Sequence, residues 1–293
     1  MKIVVLGASG MLGSMVLREL AADDTLEVIG TVRPALDAER AGADDLARLL
    51  DGAAWAINAI GVIKPYIRDD DAAAVERAMR VNGLFPHALA RAAERSGCRV
   101  LQIATDCVYA GTIGNYREPA PHDALDVYGK TKSLGEVNSA AVHHLRCSII
   151  GPEPKAHVSL LDWFLGQSQG AGVKGFTNHN WNGVTTLHFA RLCRGIVRED
   201  LPLPRLLHVV PTGQVSKLEM LQCFAREYDR PDITITPQEA AVVIDRTLAT
   251  GHEEVNRRVW ASAGFAEPPS VPGMIADLAR VSGPSRAATC SRR

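Results

Sequence analysis

The chain has 293 residues, 46% of them hydrophobic and 22% charged, with a formal net charge of −1. This length buries a sizeable core and fits one large α/β unit or two unequal lobes, in a composition typical of globular proteins. The near-neutral charge offers no electrostatic reason for a nucleic-acid or anionic-membrane partner, and no apolar run approaches the ~18 residues of a membrane span.

The first element is Lys2–Leu6 (KIVVL), too short an apolar run for a signal-peptide core and better read as a buried strand. GASGMLG at Gly7–Gly13 follows, then a helical stripe of Leu12, Val16, Leu17 and Leu20. A second strand spans Leu26–Val32. The charged, alanine-rich segment Ala35–Gly52 carries a helix around Asp44–Leu50 and at most a short third strand near Arg40–Ala43. Next come a strand at Ala54–Gly61 and a long helix with Val81, Leu84, Phe85, Ala88 and Ala92 on one side. Arg99–Ala104 (RVLQIA) is a buried-type strand that runs straight into Thr105-Asp106. After a loop rich in Gly, Pro, Asn and Asp over Ala110–Asp126, helix resumes at Tyr128, and His144–Ile150 forms another strand. The alternation predicts an α/β fold with a doubly wound parallel sheet.

Beyond Gly151-Pro152-Glu153-Pro154 the pattern becomes irregular. A helix near Ser159–Leu165 precedes a Gly/Asn-rich stretch at Gly170–Gly183, a helix over roughly Leu187–Val197 and a further sheet strand at Leu206–Val210. Ser216-Lys217-Leu218-Glu219 is a capping box that opens a helix carrying Leu218, Leu221, Phe224 and Tyr228. The expected organisation is a dinucleotide-binding domain from residues 1–152 and 183–212, a smaller C-terminal lobe from 153–182 and 213–282, and a disordered tail at 283–293. The six cysteines (Cys98, Cys107, Cys147, Cys193, Cys223, Cys290) include no C-x-x-C pair. That pattern points to reduced, mostly buried thiols in a cytoplasmic protein, with Cys290 exposed in the tail.

GASGMLG has the spacing G-x-x-G-x-x-G between a strand and a helix, the context that a pyrophosphate-binding loop requires. Gly7, Ser9, Gly10, Met11, Leu12 and Gly13 are therefore candidate cofactor contacts. Asn58, Ala59 and Gly61 at the end of one strand, and Ala104 at the end of another, are expected to line the same cleft. The second strand ends in Arg33 with no acid before Asp37, which favours the 2′-phosphate of NADPH, with NADH as the alternative. Tyr128 and Lys132 stand at i and i+4 on one helical face. An ammonium there is expected to lower the phenol pKa from its free value near ~10 and to hold the nicotinamide ribose. Thr105, at the C-terminal end of its strand, is placed to hydrogen-bond a substrate carbonyl beside the phenol. No His or Cys spacing suits a metal, and no G-x-S-x-G elbow occurs.

With these motifs the chain resembles the extended short-chain dehydrogenase/reductases, and within them the dTDP-4-dehydrorhamnose reductase-like group. The stretches that carry the resemblance are VVLGASGMLG, NAIGVIKP, VNGLFPHALA, IATDCVYAGTIGNYRE, VYGKTKSLGE and LRCSIIG across residues 3–151, with looser matches at Asn180–Leu192 and Ile244–Thr250. The resemblance implies a Rossmann-type fold with a C-terminal substrate lobe, and a catalytic triad of Thr105, Tyr128 and Lys132. It also implies a nucleotide-diphosphate sugar as substrate, reduced at a 4-keto-6-deoxy position with NADPH. Val108, Trp181 and Arg246 are the candidate substrate contacts, Arg246 through a bidentate grip on phosphate. Related 4,6-dehydratases carry Thr-Asp-Glu where this chain has Thr105-Asp106-Cys107, which disfavours elimination. Two alternatives stay open: a 4-epimerase with bound NAD, and a non-catalytic dinucleotide-binding regulatory subunit. No nucleic-acid or membrane partner is expected, and a homodimer is compatible with the sequence.

Overall fold

The computed structural model describes residues 1–283, so the expected tail beyond Gly283 and its Cys290 lie outside the described residues. Strand β1 (Lys2–Leu6) leads through the glycine loop into helix α1 (Met11–Ala21) and strand β2 (Glu27–Thr31). Helix α2 (Ala43–Leu49) precedes β3 (Trp55–Asn58), and two helices, α3 (Ala72–Ala78) and α4 (Phe85–Ser96), lead to β4 (Arg99–Ala104). Helix α5 (Val127–Leu134) and strand β5 (Val142–Arg146) follow. The next elements are β6 (Ile149–Ile150), α6 (Leu160–Leu165), β7 (Gly172–Phe176), β8 (His179–Trp181), β9 (Val184–Thr185), α7 (Thr186–Glu199) and β10 (Leu206–His208). The chain ends with β11 (Val215–Ser216), α8 (Lys217–Glu227), β12 (Thr234–Gln238), β13 (Ile244–Asp245), α9 (Glu253–Ser262) and α10 (Val271–Ser282).

Six of these strands form one parallel sheet in the order β10-β5-β4-β3-β1-β2. The order reverses direction between β1 and β3, and in such sheets ligands settle in the crevice beyond the C-terminal strand ends at that reversal. Burial on both faces explains why β1 is apolar throughout. Ile3 and Val5 join the core beneath α1 and α7, while Val4 and Leu6 join the core beneath α2 and α4. The remaining short strands make small sheets, β11-β8-β13, β12-β7 and β6-β9.

Three details differ from the sequence expectation. No strand forms near Arg40–Ala43, because Asp37 ties that segment into a turn: its carbonyl accepts from the Arg40 and Ala41 amides and its carboxylate from the Glu39 amide at 3.1 Å. The run His144–Ile150 is two strands, since β6 leaves the main sheet to pair with the distant β9. Leu84 does not face the core but is 65% exposed, because residues Met79–Leu84 form a π-helical turn between α3 and α4. A π turn holds an extra residue and rotates the face that follows. Among the described residues no helix is long and apolar enough to cross a membrane.

Candidate active site

The glycine loop owes its shape to close packing. Gly7 has φ +80°, and a Cβ on Gly13 would stand 2.1 Å from the Gly7 carbonyl oxygen, so α1 can start directly above β1 only with glycine at Gly13. The N-cap of α1 is Gly10, without a side-chain cap, which leaves the first helical N–H groups to an external acceptor. Where a Gly10 side chain would stand, the nearest atom is the Gly7 carbonyl at 3.4 Å. An open helix mouth of this kind fits a dinucleotide pyrophosphate.

This mouth opens on a cavity of about 600 Å³. One wall is Ser9, Gly10, Met11, Leu12, Arg33, Ala59 and Gly61, and the other includes Ala104, Thr105, Cys107, Tyr128 and Lys132. A smaller cavity of about 200 Å³ continues it past Gly7 to Arg33, Glu39 and Arg77. Five residues expected at the site line neither cavity: Gly13, packed on the Gly7 carbonyl, and Asn58, Val108, Trp181 and Arg246. Asn58 is fully buried and its side chain is occupied, donating to Gln102 at 2.7 Å and accepting from the Ile60 amide at 3.1 Å, so it shapes the turn behind the cleft. Val108 is fully buried in an apolar cluster with Tyr109, Tyr116 and Leu248. Trp181 is 5% exposed, packed into the main core on β8 with Lys217 above its ring. Arg246 lies beside Asp106 but donates from Nε to the Tyr109 carbonyl at 2.7 Å.

Helix α5 is brought against the end of β4 by Gly129. A Cβ there would lie 2.5 Å from the Cys107 carbonyl and 2.4 Å from Ala124 Cβ, so the Tyr-Gly-Lys order lets the helix touch the turn that follows Thr105. Asp126 caps the helix, its carboxylate accepting from the Gly129 amide at 2.8 Å and pairing with Lys64 at 2.7 Å. Tyr128 thereby comes to the same cavity wall as Thr105, whose hydroxyl accepts from the Cys107 amide at 3.2 Å and donates to the Asp106 carboxylate at 3.3 Å.

The electrostatics differ from the expected lowering of the phenol. Burial, Cys107, Asp106 and Asp126 push the Tyr128 pKa above its ordinary value, and only the Thr105 hydrogen bond opposes them among its main influences. Lys132 donates instead to the Ile103 carbonyl at 3.0 Å, and burial pulls its ammonium down to about 8 against the pull of Glu136. The Cys107 thiol is pushed up to about 12 by burial and by Asp106, so it stays neutral. Burial also raises Asp106, despite Arg246 and Lys217 nearby.

Two supports were not foreseen. Asn82, in the π turn, accepts from the Val62 amide at 2.8 Å and donates to the Val62 carbonyl at 2.9 Å and to Thr131 at 3.3 Å. It ties the cleft wall to α5 at Thr131, the residue before Lys132. The signal was a lone asparagine beside a glycine within an apolar helical stripe. Replacing Asn82 by Ala should cost about 2–4 kcal/mol, because the Val62 amide and carbonyl lose their partner in a buried place. Urea unfolding measures this, and a loss under about 0.5 kcal/mol would show the tie to be dispensable. The second support is Arg146, fully buried on β5 and visible in sequence as a charge inside the apolar run HLRCSII. It binds Glu136 at 2.5 and 2.6 Å, the Tyr109 hydroxyl at 2.5 Å, and His208 at 2.9 Å. Glu136 follows the end of α5 directly, so this cluster anchors the Tyr128–Lys132 helix to the sheet.

The fold and site define a Rossmann-type α/β protein with a glycine-loop cleft and a Thr–Tyr–Lys wall. The model of the family described as RmlD substrate binding domain matches residues 1–150, and the chain belongs to that family. A dTDP-4-dehydrorhamnose reductase from Streptomyces griseus is 37% identical over 147 residues, 45% of this chain and 43% of the relative, so the match spans under half of that protein. The chain also resembles the solved dTDP-4-dehydrorhamnose reductase from Clostridium acetobutylicum, with TM-score 0.76 and 20% identity over 95% of this chain and 98% of that one. The Bacillus anthracis dTDP-4-dehydrorhamnose reductase, solved with NADP, gives TM-score 0.77 at 17% identity over 94% and 98% of the two chains. A UDP-glucuronic acid 4-epimerase from Bacillus cereus, solved with UDP-glucuronic acid and NAD, gives TM-score 0.71 at 16% identity over 96% and 99%. At these identities the structural likeness is one of fold.

Proposed function

We propose that the protein is an NADPH-dependent reductase of a nucleotide-diphosphate-linked 4-keto-6-deoxy sugar. The observation that carries this is the cleft itself, in which Thr105, Tyr128 and Lys132 face the glycine loop across one cavity. Residues 1–152 with 183–212 form the dinucleotide-binding unit in this reading, since β10 extends the main sheet and α7 packs on α1. Residues 153–182 with 213–282 then form the lobe that receives the sugar nucleotide.

A bound dinucleotide would supply hydride. The chain supplies the rest. Reduction of a ketone needs a neutral acid beside the carbonyl oxygen, and the raised pKa keeps the Tyr128 phenol in that form at neutral pH. The Thr105 hydroxyl, on the same cavity wall as the phenol, polarises the carbonyl and holds it in line for the proton. The Lys132 ammonium, one turn away on the same cavity wall, holds the ribose hydroxyls. Elimination of water needs a further acid–base group, and Cys107 stands in that place as a neutral thiol. Arg246, beside Asp106 at the lobe side, is the remaining candidate for the substrate diphosphate.

The test is incubation with NADPH and a panel of nucleotide-linked 4-keto sugars. Stoichiometric loss of NADPH absorbance with formation of the 4-hydroxy sugar is the expected result. Interconversion of 4-hydroxy epimers with no net loss would establish an epimerase instead, and dinucleotide binding without turnover on any sugar would indicate a regulatory subunit.

A further inference from the structure

The end of the cleft beyond Gly7 is lined by four charged side chains, of which Arg33, Glu39 and Arg77 pair with one another. Arg33 follows β2, Glu39 belongs to the turn knit by Asp37, and Arg77 comes from α3. Glu39 lies between the two arginines, with its Oε1 2.9 Å from Arg77 Nε and 3.9 Å from Arg33 Nη1. All three line the 200 Å³ cavity, which shares Ser9, Gly10, Arg33 and Gly61 with the main cleft. The other carboxylate there, Asp37, is occupied by the Glu39 amide at 3.1 Å and by Arg40 at 4.0 Å.

Two guanidiniums converging on one acidic group make a site for a divalent oxyanion, currently satisfied from within. A dianionic phosphate offers more acceptor oxygens and more charge than a carboxylate, and an arginine fork matches it better. The Glu39 pairs are partly exposed, so they are individually weak and open to competition. By contrast, a ribose hydroxyl carries no charge with which to displace Glu39.

We propose that Arg77, together with Arg33, grips the 2′-phosphate of the dinucleotide, and that Glu39 is the internal anion which that phosphate must displace. This rests on the dinucleotide reading given above. It assigns cofactor preference to a residue of α3 as well as to the end of β2. It also makes Glu39 a brake on that preference: the carboxylate holds Arg77 in place and lowers the net gain from the phosphate.

The experiment measures binding of 2′,5′-ADP and 5′-ADP by calorimetry to the wild-type protein and to the variants Arg77→Gln and Glu39→Gln. The wild type should bind 2′,5′-ADP more tightly. Arg77→Gln should weaken 2′,5′-ADP about tenfold, as expected for one lost charge-assisted contact, and change 5′-ADP by less than about twofold. Glu39→Gln should tighten 2′,5′-ADP about threefold or more, because its competing charge is gone. The ratio of the two ligands is read within each protein, so a general loss of folded protein cancels. Equal affinities in the wild type, an equal loss of both ligands in Arg77→Gln, or an unchanged ratio in Glu39→Gln each overturns the assignment while the dinucleotide reading survives. If neither ligand binds the wild type, the dinucleotide reading fails and this assignment falls with it.

Discussion

Replacing Tyr128 by Phe should lower kcat by about 10³-fold, within the range a positioned general acid contributes, while dinucleotide affinity stays within about twofold. The ring packs on Val62, Ile67, Ala78 and Val81, and Phe keeps those contacts. What is lost is the phenol that lines the cleft beside Thr105 and can deliver a proton there. Stability should hold or rise slightly, because removing a buried hydroxyl also removes the cost of desolvating it. Steady-state kinetics with NADPH and the active 4-keto sugar, beside a binding titration, gives both numbers. A variant with more than about a tenth of wild-type kcat would sink the proposed role of the phenol and turn attention to Asp106 and Cys107, which also contact Thr105. A second consequence follows from the same environment. Because the phenol is raised and not lowered, reduction should not lose its acid on the alkaline side until the pH passes the ordinary phenol range. Any decline that begins near pH 8 belongs to Lys132, whose ammonium titrates there.

The sequence was most legible where burial is simplest. KIVVL and RVLQIA are apolar along their whole length because sheet β10-β5-β4-β3-β1-β2 is covered on both faces, so composition alone marks them as inner strands. The order of GASGMLG, Thr105 and Tyr128-x-x-x-Lys132 along the chain was enough to bring those groups to one cleft, since each closes a strand or opens a helix at the same edge. What was not legible depends on partners far away in sequence. Ile149–Ile150 leaves the main sheet because of Val184–Thr185, and nothing local announces that pairing. Leu84 turns outward because Asn82 is engaged at Val62 and Thr131 within a π turn, which a 3.6-residue period does not represent. Trp181 and Val108 suited a ligand by residue type, yet both are packed in core clusters. Arg77 gave no signal at all, because only the folded chain sets it beside Glu39.

Lys132→Met makes the sharpest separation between what the cleft costs and what it does. In the folded protein burial lowers the ammonium from 10.5 to about 8. The unfolded chain therefore holds a proton between those two values that the folded chain has released, and stability rises with pH across that window. Below about pH 8 the native state carries the full penalty of a charged, buried lysine. A shift of this size corresponds to about 3 kcal/mol. Met has similar length and no charge, so Lys132→Met should stabilise the protein at pH 7 by up to about 3 kcal/mol, or roughly 5 °C in Tm for a chain of this length. The gain should fade toward zero as pH approaches 10.5, where the wild-type lysine is neutral in both states. The Ile103 carbonyl is not orphaned by the change, because Gln102 Nε2 also donates to it at 3.1 Å. Turnover should fall about 10²-fold or more, since the dinucleotide ribose loses the cation that holds it in line. Thermal melts at pH 7 and 10 on both proteins check the stability half, and kinetics at pH 7 check the other. A destabilised variant at pH 7, or a gain that does not change with pH, would show that Lys132 is not strained by burial. A stabilised variant that still turned over normally would remove Lys132 from the chemistry while leaving the electrostatic argument intact. Stability gained together with activity lost is the expected pairing, because a charge held in a dry cleft is unfavourable until the reaction uses it.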